Sequence, residues 1–242
     1  MEGATEQGYD VQYSIFGETF PQCCHNLTIS EIKAFNIDVF PVTNAEYYDF
    51  LQSSGYSPTD AASGAINYLA HWTIQPDGSR APSPSSLNQP VRYISLDDAS
   101  AFCQYYKQRL PEEWEYQYAA QGLDQRSYPW GNVFNESLVP AVFTGRDISN
   151  APPSDVDAFA PQACSEAGVC DLVGNVWQFT SVFQDDHSRR VILRGGTYYN
   201  PQGSSWYFPR TYLLSQHNQY LLMAPSLDRA GTLGFRCVAP TQ

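Results

Sequence analysis

The chain has 242 residues, 43% of them apolar and 14% aromatic, enough to bury the core of one large domain. Its 25 acidic residues outnumber 13 basic ones, for a formal charge of −12; that excess repels phosphate backbones and excludes nucleic acid as a partner. No stretch approaches the roughly 20 apolar residues a bilayer-crossing helix needs, so no membrane span is expected.

Residues 1–30 are polar and read as an N-terminal extension or edge segment. They lack the basic n-region and apolar h-region of a signal peptide. Residues 31–240 read as a single domain. From Ile32 to Phe40 apolar and polar residues alternate as in a strand. Thr43, with Glu46 three residues on, predicts a capping box. The helix it opens carries Tyr47, Phe50 and Leu51 on one face and stops at Gly55. From Ser57 to Gln89 the chain is rich in Ser, Pro, Gly and Asp and reads as a long surface excursion with one anchored aromatic turn, Asn67 to Trp72. His71 in that turn reads as a packed or solvated side chain, with a pocket residue as the alternative. Ser95 with Asp98 opens a second helix, with Ala99, Phe102, Cys103 and Tyr106 as its buried stripe. Pro111 suits the first turn of a third helix, which aligns Trp114 with Tyr118 and ends at Gly122. Beyond it the clearest strands are Val191 to Arg194 and Leu233 to Val238. Few helices on short sheets, with much loop, is an α+β pattern.

Six cysteines stand at positions 23, 24, 103, 164, 170 and 237, an even number that suits an oxidising compartment. Cys164 and Cys170 are spaced for a short local loop, but spacing alone does not set the pairing of Cys23, Cys24, Cys164 and Cys170. Their spacings match no common structural zinc finger. Asn26-Leu27-Thr28 and Asn135-Glu136-Ser137 are glycosylation sequons, which carry meaning only in a secreted chain.

Six motifs follow one another: Phe40-Pro41-Val42-Thr43-Asn44-Ala45-Glu46-Tyr47, Arg109-Leu110-Pro111-Glu112-Glu113-Trp114-Glu115-Tyr116, Tyr128-Pro129-Trp130-Gly131-Asn132, Asp171-Leu172-Val173-Gly174-Asn175-Val176-Trp177-Gln178-Phe179, Arg194-Gly195-Gly196-Thr197 and Gly234-Phe235-Arg236-Cys237. In this order they resemble the formylglycine-generating-enzyme, or sulfatase-modifying-factor, family, which is related to the C-terminal domain of the ergothioneine-type sulfoxide synthases. The resemblance implies the family's variant of the C-type-lectin fold, loop-rich with few helices and short sheets. It also implies a disulfide between Cys103 and Cys237, where two buried free thiols are the alternative, and a calcium ion at Asn175, Val176 and Gln178, with Asp171, Asp155 and Asp157 as nearby carboxylates. Gln178 stands where the family often has a glutamate, which would weaken such a site.

Catalytic members carry two cysteines after the Arg-Gly-Gly turn that bind copper and do the redox chemistry. Their positions here hold Asn200 and Ser205. Neither supplies the sulfur that Cu(I) prefers or exchanges with a substrate thiol, so copper and formylglycine-generating activity are disfavoured, and no catalytic residue is assigned. The groove of the family maps onto Tyr198, Asn200, Ser205, Trp206, Tyr207, Arg210 and His217, with Asp228 and Arg229 beyond. Rings and amides in a concave surface suit a peptide, a glycan or a protein partner. The expected function is therefore a non-catalytic, extracellular or secretory-pathway binding or structural module; without secretion the chain would be cytosolic. The alternative is a metal-dependent oxidoreductase related to the sulfoxide synthases, using His217, Tyr198, Tyr207 and Arg210. Iron held by His217 and His187 fits no local ligand spacing.

Overall fold

The computed structural model of the protein describes residues 9–11, 14–15, 27–29, 32–123, 126–144, 151–183, 189–199, 216–222 and 229–241. Capping sets where the three α-helices among the described residues begin. Helix α1 (Asn44–Ser54) opens with the expected box, Thr43 Oγ1 accepting from the Glu46 N–H at 3.2 Å and the Glu46 carboxylate accepting from the Thr43 N–H at 2.8 Å. It ends at Gly55, whose φ of 64° is a left-handed conformation that glycine takes without a Cβ penalty. Helix α2 (Leu96–Tyr105) repeats the device with Ser95 and Asp98. Ala99, Phe102 and Cys103 are buried along it as expected. Tyr106 is not: it is the C-cap residue and stands 45% exposed, because the helix stops one residue before it. Helix α3 (Glu113–Gln121) begins two residues after Pro111, since the Glu115 carboxylate reaches back to the Glu112 N–H at 2.8 Å and fixes Glu112 as the N-cap.

The strands are short: β1 (Tyr9–Val11), β2 (Ser14–Ile15), β3 (Leu27–Ile29), β4 (Phe35–Ile37), β5 (Thr73–Ile74), β6 (Arg80–Ala81), β7 (Trp177–Phe183), β8 (Arg190–Arg194), β9 (Gln216–Leu221), β10 (Leu233–Gly234) and β11 (Val238–Pro240). A five-stranded sheet has the order β10-β7-β8-β9-β2. Its centre is antiparallel, with Phe179 opposite Leu193 and Val191 opposite Tyr220, and its outer pairs β10-β7 and β2-β9 are parallel. The single strand expected from Leu233 to Val238 divides in two. β10 pairs with β7, then Phe235, Arg236 and Cys237 turn the chain away, and β11 pairs with β4 instead. A period-two pattern does not reveal a strand that changes sheets.

The main core fills the space between α1, α2 and the sheet. Tyr47 stacks on Phe102 with ring centroids 5.7 Å apart, and Phe235 meets Phe102 edge-on at 5.3 Å. Trp72 anchors the long excursion, its indole N–H donating to Asn44 Oδ1 at 2.8 Å. Beside these rings Cys103 and Cys237 form the expected disulfide, with Cα atoms 5.7 Å apart, and Cys164 bonds Cys170. A second cluster packs α3 residues Tyr116, Ala119 and Ala120 against Leu172 and Val173.

Candidate functional site

Two glycine-bearing turns meet in the middle of the molecule. Gly174 has φ 80° and Asn175 φ 57°, so regular strand begins only at Trp177. The Gly174 N–H donates to Gly195 O at 2.7 Å and joins this turn to Arg194-Gly195-Gly196-Thr197. Gly195 has φ 99°, and a Cβ there would stand 2.6 Å from Tyr116 Oη. Both constraints require glycine at that motif position.

The side chains of the first turn are committed to one another. Asn175 Oδ1 accepts from the Ser154 N–H at 3.1 Å, while its Nδ2 donates to Ser154 O and to the Asp171 carboxylate at 3.0 Å. Gln178 Nε2 donates to Asp171 O at 2.8 Å, and Gln178 Oε1 accepts from Arg236 Nε at 2.7 Å. The partners fix both amide orientations, because a guanidinium must face an oxygen and a carbonyl must face an N–H. Arg236 also donates to the carbonyls of Asp38, Val39, Cys170 and Asp171, which satisfies all its N–H directions inside the core. Calcium wants six to eight free oxygens. The oxygens of Asn175 and Gln178 already accept from N–H groups, one of them from a cation. The Asp171 carboxylate accepts from Asn175 as well, so the residues anticipated as calcium ligands, hydrogen-bonded as they are, do not fit the ion as a set. Of the two upstream carboxylates, Asp157 accepts from Asn88 Nδ2 at 2.7 Å; neither joins Asp171 in a cluster of metal-ligating side chains among the described residues.

Tyr198 follows the second turn. Its ring is 2% exposed, its hydroxyl donates to Ala151 O at 2.7 Å and accepts from Arg92 Nη1 at 3.2 Å. Burial pushes its pKa up to about 12, against the opposing charge of Arg92. Tyr198 is thus a buried cross-link at the edge of the expected groove. Asn200, Ser205, Trp206, Tyr207, Arg210 and His187 lie outside the described residues. The backbone of His217 lies on β9, paired with Ile15 of β2.

Arg229, expected along the groove, is buried instead. It donates to both carboxylate oxygens of Asp60 at 2.8 Å and to Asp98 Oδ2 at 2.8 Å, beneath the Tyr68 ring. A cleft of about 640 Å³ lined by Asp38, Phe40, Glu46, Asp49, Phe102 and Tyr106 opens elsewhere. Two of its three carboxylates are structural, Asp38 accepting from the Cys237 N–H and Glu46 capping α1. Sequence reasoning missed Arg92. Its signal was a base between Val91 and Ile94, both fully buried.

Among the described residues, three short α-helices beside a small mixed sheet, tied by long loops through the two glycine turns, define a C-type-lectin-like fold of the formylglycine-generating-enzyme variety. The sulfatase-modifying factor enzyme 1-like domain matches residues 3–241, and the chain belongs to that family. Inactive C-alpha-formylglycine-generating enzyme 2 of Bos taurus is 30% identical over 86% of this chain and 78% of its own. The formylglycine-generating enzyme of Streptomyces coelicolor is 28% identical over 92% of this chain and 83% of its own. Among solved structures, PvdO from Pseudomonas aeruginosa superposes with a TM-score of 0.63 at 17% identity, covering 99% of this chain and 93% of that one.

Proposed function

We propose that this domain is a non-catalytic member of its family that binds a ligand without converting it. The observation that carries the reading is the pair Asn200 and Ser205, which by the resemblance stand where catalytic members carry their two copper-binding cysteines. An amide and a hydroxyl give copper no soft donor and give a substrate thiol nothing to exchange with. The likeness to a relative named as inactive supports it. The segment from Tyr198 to His217 then serves recognition of a peptide, glycan or partner subunit. The two disulfides favour an oxidising, extracellular or secretory-pathway setting.

The test is incubation of the purified protein with copper, oxygen and a cysteine-containing sulfatase peptide, trapping any aldehyde with a hydrazide. No aldehyde is expected above the protein-free control. Peptide and glycan arrays should meanwhile return saturable binding with the ligand recovered unchanged. Aldehyde formation that depends on the protein overturns the reading.

A further inference from the structure

In a chain with about twice as many acids as bases, a buried base without a carboxylate is out of pattern. Arg109, Arg126, Arg194 and Arg229 each pair with an acid, and buried Arg236 is satisfied by four carbonyls and an amide oxygen. Arg92 has neither arrangement. It is 6% exposed and donates only from Nη1, to Tyr198 Oη at 3.2 Å and Gly231 O at 3.1 Å, while its Nε is buried with no partner. The Nε–Nη2 edge of a guanidinium is the side that takes a carboxylate or sulfate through two parallel hydrogen bonds. Among the described residues nothing occupies it.

Two more bases lie in the same neighbourhood, His71 near enough to feel the charges of both Arg92 and Arg80. His71 packs against the Tyr93 ring at 5.6 Å, and Arg92 Cζ lies 5.9 Å from the same ring's centroid. Arg80, on β6, donates to Leu69 O at 3.3 Å and forms no ion pair among the described residues. His71 Nε2 meets Asn44 Oδ1 at 2.9 Å. That oxygen can only accept, so Nε2 carries the hydrogen and the neutral ring leaves Nδ1 bare; Nδ1 is buried without a partner. Burial, then the charges of Arg92 and Arg80, hold the His71 pKa well below the usual imidazole range, with no acid among the described residues opposing them. Two unpartnered polar edges in one basic cluster are costly to bury unless something completes them.

We propose that Arg92, Arg80 and His71 form an anion-binding point for a ligand bearing an oxyanion group, beside Tyr198 where the recognition segment begins. The proposal names the chemistry of the ligand and rests on the binding-module reading. The Arg92 edge supplies the paired donors and Arg80 a second charge. His71 adds a third donor when Nδ1 is protonated. Among the described residues, the groups facing His71 are Asn44 from α1, Arg80 from β6, and Trp72, Arg92 and Tyr93 from the connecting segments. None is an acid, so a bound anion would be the charge that favours protonation, and binding tightens as pH falls.

The experiment is calorimetric titration of the intact protein with inorganic sulfate, inorganic phosphate and glutamate in turn, at ionic strength held constant with chloride. Saturable binding of at least one probe is expected, and preference for glutamate or for the tetrahedral ions separates a carboxylate ligand from a sulfated or phosphorylated one. Arg92→Gln should weaken binding by at least about tenfold, the loss of one charge-assisted pair. Arg80→Gln, on the half-exposed hairpin, should weaken it several-fold with the melting temperature retained, and it decides the matter if the Arg92 variant does not fold. Absence of saturable binding for all three probes, or unchanged affinity in the folded variants, overturns the proposal. Neither outcome depends on the aldehyde assay, so the two readings fail separately.

Discussion

Asp171 carries a conflict between burial and charge. Its φ is 51°, and its carboxyl is enclosed with Asn175 Nδ2 as donor. Desolvation pushes its pKa up to about 7, with the Asn175 hydrogen bond and the Arg236 charge opposing. The unfolded chain loses this proton near the ordinary aspartate value of about 4. Between about pH 4 and 7 the folded state therefore holds a proton that the unfolded state has released. The favourable contribution is complete below about pH 4 and is lost as pH rises through 7. Asp171→Asn keeps an oxygen for Asn175 and suits the left-handed backbone. It should flatten the pH dependence of stability between pH 5 and 8 and be the more stable protein at pH 8, by about 4 kcal/mol, the interval from about 4 to about 7 at roughly 1.36 kcal/mol per pH unit. Urea unfolding at three pH values checks this, and parallel curves for the two proteins would sink it. The sequence marked Asp171, Asn175 and Gln178 as belonging together, and they do meet. What it could not show is Arg236, which enters from the C-terminal strands, 58 residues beyond Gln178, and takes the amide oxygen that a calcium ion would need.

Elements were most legible where their signals are local. Thr43 with Glu46 and Ser95 with Asp98 announce two helices because each capping box is closed within four residues. α3 was legible as a helix but not at its start, where Glu115 serves both the Glu112 N–H and Arg109 in a bidentate pair at 2.6 Å. The roles of Asp98 were only half visible. Beyond its cap it accepts from Tyr56 Oη and from Arg229 Nε, both at 2.8 Å, and these partners are distant in sequence. The two halves of that cap should thus respond differently. Ser95→Ala removes one hydroxyl acceptor and should cost about 1 kcal/mol. Asp98→Ala leaves the buried Arg229 short of a counter-charge and should cost roughly 3–5 kcal/mol. Denaturant midpoints of the two variants measure the ratio; equal losses would mean that Asp98 acts only as a cap.

At the scale of the whole molecule, the short strands and three α-helices among the described residues are joined by long connections, and covalent ties limit how far the unfolded state can spread. Cys103–Cys237 closes a sequence separation of 134 and joins α2 to the turn between β10 and β11, whereas Cys164–Cys170 closes a separation of 6 within one loop. In the chain-entropy description the stabilisation grows with the logarithm of loop length, so the long tie should contribute roughly 3 kcal/mol more than the short one. Packing adds in the same direction, since Cys103 and Cys237 are fully enclosed in the main core while Cys170 borders a separate loop region. Replacing both members of each pair by alanine keeps the comparison free of stray thiols. For a chain of this size each kcal/mol corresponds to about 2–4 °C in melting temperature. The Cys103→Ala, Cys237→Ala protein should therefore melt about 6–12 °C below the Cys164→Ala, Cys170→Ala protein, read by circular dichroism under non-reducing conditions. Equal melting temperatures would mean that the long tie constrains the unfolded chain little, and that the ring contacts among Tyr47, Phe102 and Phe235 already hold the two halves of the sequence together.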